Sequence, residues 1–322
     1  MWRFRWLKAA PFVAVHIVLA CGASVAQATE RVYVLSQSGA ALSAIEDGGD
    51  AVAWTMKLDK APASFAFSAD HRLAYVSHPD LSQVSVVDLE AQNVLRKISV
   101  AGSPFGVALT SKGRLFVGDW SSPHVVVFDG DAKEPSKVLD VGRAPAHLLL
   151  TPDEKLLFVA NRESNSVSAV RVDDLTIAGE VPVGHAPFAM AISPDGSRLY
   201  VGNVQGGTVS IIDTAALKVL DTINSGAMPY GAAVTPDGAR VLVTNQQARS
   251  VSLIEKAASG PVEIKVGEYP EGVGLSADGS RAYVANWFSD DVSVIDLTSL
   301  KEVRRIKCAG GPRGIAVMPA TQ

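Results

Sequence analysis

The chain has 322 residues, 48% of them hydrophobic and only 19% charged, with a formal net charge of −4. That much apolar residue, with no segment of low hydrophobicity and high charge, excludes a disordered linker protein and fits a packed globular chain. The negative balance offers no basic surplus for tracking phosphates, and two cysteines, Cys21 and Cys308, are too few for a disulfide scaffold.

At the N-terminus, Arg3, Arg5 and Lys8 precede a 12-residue apolar stretch from Ala9 to Ala20. A membrane-spanning helix needs roughly 20 apolar residues, so the segment reads as a secretory signal peptide. Ala26-Gln27-Ala28 fits the small-residue cleavage pattern, and cleavage after Ala28 starts the mature chain at Thr29. The rival is Val18-Leu19-Ala20-Cys21, which resembles a bacterial lipobox imperfectly because leucine is unusual just before the Ala-Cys pair. Membrane attachment is expected only if Cys21 is lipidated; both readings predict export to the periplasm or beyond. Residues 1–28 hold three basic and no acidic groups, so the mature balance is 26 Lys plus Arg against 33 Asp plus Glu, or −7. Cys308 is then the one free thiol, at a place where other copies of the repeat carry Val100, Val141, Val183 and Val266, and a small packed residue is expected there.

The stretch Gly184 to Asp213 shows the unit. Phe188 to Ile192 is a short apolar run, and Pro194-Asp195-Gly196 turns the chain, proline presetting φ and glycine accepting a left-handed backbone. Leu199 to Val201 and the β-branched Thr208 to Ile212 form the next strands, with Asn203 to Gly207 between them, and Val219 to Ile223 makes a fourth. Opening prolines recur at Pro62, Pro104, Pro145, Pro187, Pro229, Pro270 and Pro312, spaced by 42, 41, 42, 42, 41 and 42 residues. This period predicts an all-β, seven-bladed propeller of four-stranded antiparallel blades, one domain over 29–322; the short β-branched runs exclude a helical solenoid.

The first repeat lacks its opening strand: Arg31 to Leu35, Leu42 to Ile45 and Ala51 to Leu58 match only the second, third and fourth. Gly311 to Val317 supplies the missing one from the other end, so a C-terminal strand is predicted to complete the N-terminal blade and close the ring. A closed ring needs no second copy to complete its core, and a monomer is expected. Gly196, Gly238 and Gly279 are expected at left-handed turn positions, with Asp195, Asp237 and Asp278 bonding nearby amides. Asp88, Asp129, Asp213 and Asp296 end third strands and are expected to cap turns rather than to do acid–base chemistry.

Tyr200-Val201-Gly202-Asn203, Phe158-Val159-Ala160-Asn161, Leu242-Val243-Thr244-Asn245 and Tyr283-Val284-Ala285-Asn286 each lie between a Pro-Asp-Gly-like turn and a VSVID-like strand. On these motifs the chain resembles the YVTN-type β-propeller repeat family and is similar to YncE-like proteins over essentially its whole mature length. The motif asparagine is replaced by Ser36, His78 or Asp119 in three repeats, and the strand-ending aspartate by Arg171 in one. The resemblance implies exported bacterial proteins, some resembling propellers that accompany periplasmic quinoprotein catabolism, and one type linked to single-stranded DNA binding.

In the geometry that the resemblance implies, the residue after each opening proline and the loop after each YVxN strand lie on one face around the central channel. The first ring reads Ala63, Phe105, Ala146, Phe188, Tyr230, Glu271 and Arg313, with His147 one position further on; the second reads Gln37, Pro79, Trp120, Arg162, Val204, Gln246 and Trp287. Phe105, Trp120, His147, Arg162, Phe188, Tyr230, Glu271, Trp287 and Arg313 are the binding candidates, because copies of a repeat should differ where they do something besides fold. The competing expectation for Trp120 and Trp287 is that they wedge between blades.

Catalytic signatures are sparse. The mature histidines His71, His78, His124, His147 and His185 fall at different phases of the repeat, so no metal site is expected, and no CxxCH, adjacent-cysteine or GxSxG pattern implies a cofactor or a nucleophile. The sequence therefore points first to a noncatalytic binding or scaffold protein of the bacterial envelope, taking a small ligand or a protein partner. A lactonase- or lyase-like enzyme built on His147, Glu271 and Arg313, or an accessory protein of quinoprotein catabolism, comes second. Single-stranded DNA, stacking on Phe105, Trp120, Tyr230 and Trp287 and meeting Arg162 and Arg313, comes third because a net of −7 opposes it.

Overall fold

The structure is a computed structural model that describes residues 30–46, 48–255 and 260–319; the expected signal segment, its cleavage site and Cys21 lie outside the described residues. Seven four-stranded antiparallel sheets are arranged as blades. The closing blade joins β1 (Glu30–Ser36), β2 (Ala41–Glu46) and β3 (Val52–Lys57) to β28 (Pro312–Pro319). Six consecutive blades follow in chain order. They are β4 (Phe65–Phe67), β5 (Leu73–His78), β6 (Gln83–Asp88), β7 (Asn93–Ser99); β8 (Pro104–Leu109), β9 (Arg114–Asp119), β10 (His124–Asp129), β11 (Lys137–Asp140); and β12 (Pro145–Leu150), β13 (Leu156–Asn161), β14 (Ser166–Arg171), β15 (Thr176–Pro182). The remaining three are β16 (Pro187–Ile192), β17 (Arg198–Asn203), β18 (Thr208–Asp213), β19 (Lys218–Asn224); β20 (Pro229–Val234), β21 (Arg240–Asn245), β22 (Ser250–Glu255), β23 (Val262–Lys265); and β24 (Pro270–Leu275), β25 (Arg281–Asn286), β26 (Asp291–Asp296), β27 (Lys301–Lys307).

Burial follows position within the blade. Middle strands are covered on both faces by neighbouring blades and read as continuous buried runs, as in β13 and β25. Fourth strands are half covered and alternate, which leaves Leu95, Leu220 and Val303 exposed on the rim. The cores lie between blades. Val32, Val34 and Ile45 of the closing blade pack on Tyr283, Val292 and Val294, while Tyr33, Leu35 and Leu42 pack on Ala74, Val76 and Val87. Cys308 is partly buried against the first of these clusters, and burial, with Asp291 and Asp290 nearby, pushes its thiol up to about 12.

Turn chemistry accounts for the shared polar residues. Gly196, Gly238 and Gly279 have φ of 71°, 69° and 68°, and the Asp195 carboxylate accepts the Ser197 amide at 3.0 Å. The motif asparagine clamps the next hairpin from inside: Asn203 Nδ2 donates to Thr208 Oγ1 at 3.0 Å and to Ser210 Oγ at 2.9 Å, and Asn161, Asn245 and Asn286 repeat the pattern. His78 replaces it with an imidazole whose Nδ1 donates to the Lys60 carbonyl and whose Nε2 accepts from Ser85 Oγ, both at 3.1 Å. Asp119 holds its loop as an acceptor instead, from the amides of Ser103 and Ser121 at 2.7 and 3.0 Å. Asp88, Asp213 and Asp296 cap the turns after their strands by accepting backbone amides. Asp129 does not: its turn contains Gly130 at φ 57°, and its carboxylate pairs with Arg114 Nε at 2.6 Å.

The ring closes as the repeat count predicts. β28 runs antiparallel to β1 with Val32 opposite Val317 and Val34 opposite Ile315, and a bulge between Leu35 and Ser36. Ending the chain at Gly310 removes that strand, leaves the inner edge of β1 unpaired and uncovers the Val32 cluster. Such a truncation is expected to lower the melting midpoint by on the order of 10 °C or more, or to abolish a cooperative transition, when followed by calorimetry. An unchanged midpoint would show that the pairing contributes little.

Candidate functional site

Inner strands bring the first ring of candidates together. Ala63, Phe105, Ala146, Phe188, Tyr230 and Arg313 line a central cavity of about 430 Å³. Glu271, at the same repeat position, does not. It is 5% exposed and lines a separate depression of about 260 Å³ with Trp120, Arg162, Phe188, Tyr230, Gln246 and Tyr269. The depression therefore sits at the channel mouth, where loops after the second strands meet the start of the inner strands.

A chain of ring contacts connects the two spaces. Phe188 and Tyr230 stack with centroids 4.2 Å apart, Phe105 lies 5.8 Å from Phe188, and Trp120 lies 4.8 Å from Phe105. Arg313 extends the chain, its guanidinium 5.3 Å from the Phe105 centroid and 5.6 Å from that of Trp287. Arg162 lies 5.7 Å over Trp120 and has no carboxylate partner among the described residues. Eight of the nine candidates thus form one contiguous cluster. Trp120 and Trp287 are half-buried at the mouth and contact its residues, rather than wedging into the clusters between blades.

Polar contacts inside the cluster are specific. Arg313 Nη2 donates to Tyr230 Oη at 2.8 Å, and its Nε lies 3.5 Å from Glu271 Oε2. Gln246 Nε2 donates to Glu271 Oε1 at 3.0 Å. Burial outweighs the Arg313 charge and the Gln246 hydrogen bond, and raises the Glu271 carboxyl to about 7; burial also raises the Tyr230 phenol. The backbone holds Glu271 in place, because Thr244 Oγ1 donates to its carbonyl at 2.6 Å and accepts the Gly231 amide at 2.7 Å. A Cβ on Gly231 would overlap that same carbonyl oxygen, so glycine is what allows β20 to approach β24 there.

His147 stands apart from this cluster. It lines the channel, not the mouth depression, and its Nδ1 accepts the Met190 amide of the next blade at 3.0 Å. Burial lowers its pKa to about 4, so the ring is neutral and carries its proton on Nε2. The structure also adds residues that the sequence reading passed over as candidates: Gln246, Tyr269 and Met228 all line the depression. Tyr269 and Met228 precede opening prolines at φ 58° and 60°, where Ala61, Ala144 and Ala186 stand in other blades. That departure from alanine was the available signal.

A seven-bladed β-propeller with an aromatic, arginine-bearing channel mouth is the class of protein that this fold and site define. The chain belongs to the YNCE-like beta-propeller family, whose model matches residues 47–239. No curated protein sequence matches it. Among solved structures it is similar to Kuenenia stuttgartiensis hydrazine synthase, with 21% identity over 79% of this chain and 89% of that one and a TM-score of 0.72. It is also similar to a protein of unknown function from Desulfotomaculum acetoxidans, with 14% identity over 90% and 99% of the two chains and a TM-score of 0.77. A candidate 6-phosphogluconolactonase from Bacteroides uniformis matches with 15% identity over 91% and 100% and a TM-score of 0.78. At these identities the likeness establishes the fold.

Two titrations follow from the geometry. Removing the His147 acceptor strands the buried Met190 amide, so His147→Ala is expected to cost about 1–3 kcal/mol near pH 7. With a folded value near 4, below the ordinary 6.5, that contribution is complete above pH 6.5 and is lost as pH falls toward 4; denaturant titrations across this window, with NMR of the His147 ring, check it. Glu271 has the opposite sign, because its folded value near 7 lies above the ordinary 4.5. Stability is lost as pH rises from 4.5 through 7, and Glu271→Gln should gain on the wild type over that range by on the order of 3 kcal/mol. A pH-independent difference between the two proteins would contradict the burial argument.

Proposed function

We propose that the chain is an exported binding module of the bacterial envelope whose channel mouth takes a small organic ligand. The observation that carries this reading is Arg162, a cation without a carboxylate partner among the described residues, placed over Trp120 at the edge of a concave, ring-lined depression. Such a combination of rings and a few placed polar groups is the ordinary composition of a ligand site. Export rests on the basic, apolar and small-residue pattern of residues 1–28. A role as a scaffold for a protein partner remains part of the same reading and uses the same face.

A second reading, a lactonase- or lyase-like enzyme, is favoured by the Glu271 carboxyl, whose value near 7 suits proton transfer at neutral pH. Against it, His147 lines the channel while Glu271 lines the mouth, so His147, Glu271 and Arg313 do not converge on one cavity. One polar atom of each is also engaged with a protein partner, His147 Nδ1 with Met190, Glu271 Oε1 with Gln246 and Arg313 Nη2 with Tyr230.

Native mass spectrometry of the protein from its own envelope fraction tests the proposal. A retained small molecule is expected, with Trp120→Ala weakening its capture by tenfold or more while the melting midpoint stays within a few degrees. A ligand whose retention is indifferent to Trp120, or a turnover abolished by Glu271→Gln in a folded protein, would overturn the noncatalytic mouth-binding reading. The same spectrum separates cleavage after Ala28 from acylation at Cys21 by mass.

A further inference from the structure

The central channel of about 430 Å³ is a different space from the mouth depression: Arg313 and His147 line it, while Arg162, Trp120 and Glu271 do not. Its volume lies within the roughly 300–1,000 Å³ common for small-molecule sites. Among the described residues that line it, Arg313 is the one full charge, and no carboxylate accompanies it. The Glu271 carboxyl, 3.5 Å from Arg313 Nε, lines the mouth instead, and its value near 7 leaves it mostly neutral at pH 6.

Two donors of the channel wall lack acceptors in the protein. Arg313 gives Nη2 to Tyr230, and its Nη1 makes no hydrogen bond with a described residue. His147 accepts the Met190 amide on Nδ1, so its neutral ring carries on Nε2 a proton that no described residue accepts. Neither nitrogen belongs with the enclosed, unpaired oxygens of Asn161, Asn203, Asn286, Gln246 and Glu271; the two side chains stand on the channel wall, one and two places after opening prolines. Three places after, Phe65, Val273 and Ile315 make the wall apolar. The lining thus runs from a cation and a neutral donor near the mouth to hydrocarbon further in.

This order selects among ligands. A cation would meet the Arg313 charge with no carboxylate on the wall to offset it. A neutral hydrocarbon would cover the guanidinium and the imidazole N–H without giving either an acceptor. A sugar would strip its hydroxyls of water against Phe65, Val273 and Ile315, and a dianion would bring two charges to one guanidinium. A monocarboxylate with an apolar body answers both ends of the channel, because its two oxygens accept from both donors at once.

We propose that the channel is a second ligand site, separate from the mouth, and that it binds a small monocarboxylic acid with an apolar body. The carboxylate accepts from Arg313 Nη1 and His147 Nε2, and the body lies inward among Phe65, Val273 and Ile315. Short arylalkanoates are the simplest acids of this kind.

Isothermal titration at pH 6 with 3-phenylpropionate, 3-phenylpropionamide and 3-phenylpropylamine, three probes that share one body, tests it. The acid is expected to bind on the order of tenfold more tightly than the amide, and the amine more weakly than both. Arg313→Gln should weaken the acid by about tenfold and the amide by less, and Arg313→Lys should recover part of the loss. The acid should also shift the NMR signals of the His147 ring in the wild-type protein, a readout that needs no substitution and separates the channel from the mouth. Melting curves confirm that the variants are folded; where they are not, the His147 signals decide. An amide that binds as tightly as the acid, or a His147 ring indifferent to saturating acid, overturns the proposal. Loss of acid binding in Arg162→Gln with retention in Arg313→Gln places the acid at the mouth, which overturns the channel site and leaves the mouth reading standing. Failure of all three probes to bind overturns the channel site too, while Trp120-dependent capture of another molecule still supports the mouth.

Discussion

The pairing of β28 with β1 is the constraint on which the remaining geometry depends. Each of the other blades is a local meander whose strands follow one another in sequence, and each buries its faces only against its neighbours. A ring of such units has no free inner face only when the first and last are joined. Here the join is made by hydrogen bonds between strands from opposite ends of the chain, with Val317 and Ile315 packing on the Val32 cluster. Two blade interfaces, one on each side of the closing blade, rely on it.

Within that ring, the mouth is formed by departures from the repeat. Most blades place alanine, serine or glycine before the opening proline and a small residue two places after it, which lets inner strands crowd the axis. Gly231 is the tightest instance, since no side chain fits between β20 and β24 at the Glu271 carbonyl. Where bulk is admitted it is aromatic or charged, and the additions interlock: Trp120 on Phe105, Phe188 on Tyr230, Arg313 on both Phe105 and Tyr230. Several neighbouring departures have combined into one polarised, ring-lined recess.

The architecture was legible because its determinants are local and recur. The opening prolines, the Pro-Asp-Gly turns and the buried asparagines serve the backbone of every blade, so their period reports the blade count and even the split of one blade between the chain ends. The candidate cluster was legible in membership, since propeller geometry places the two loop sets on one face. Its wiring was not. Nothing in the local sequence around His147 says that the imidazole accepts a hydrogen bond from the Met190 amide, 43 residues on, beside the bulge between Pro187 and Met190. Tyr269 looks like turn filler before a proline, and Gln246 like one more loop residue, until the ring folds them over Glu271. Asp129 pairs with Arg114 as Asp88 and Asp213 pair with Arg72 and Arg198, but unlike them it caps no following amide, and its turn differs in having Gly130 at φ 57°.

Arg313 belongs to β28, the strand that follows all others in chain order, and it anchors Tyr230, Glu271 and Trp287 at the mouth. The recess is thus assembled by the same event that seals the ring. A chain that stops short of β28 lacks both the seal and the guanidinium, whatever the state of its earlier blades.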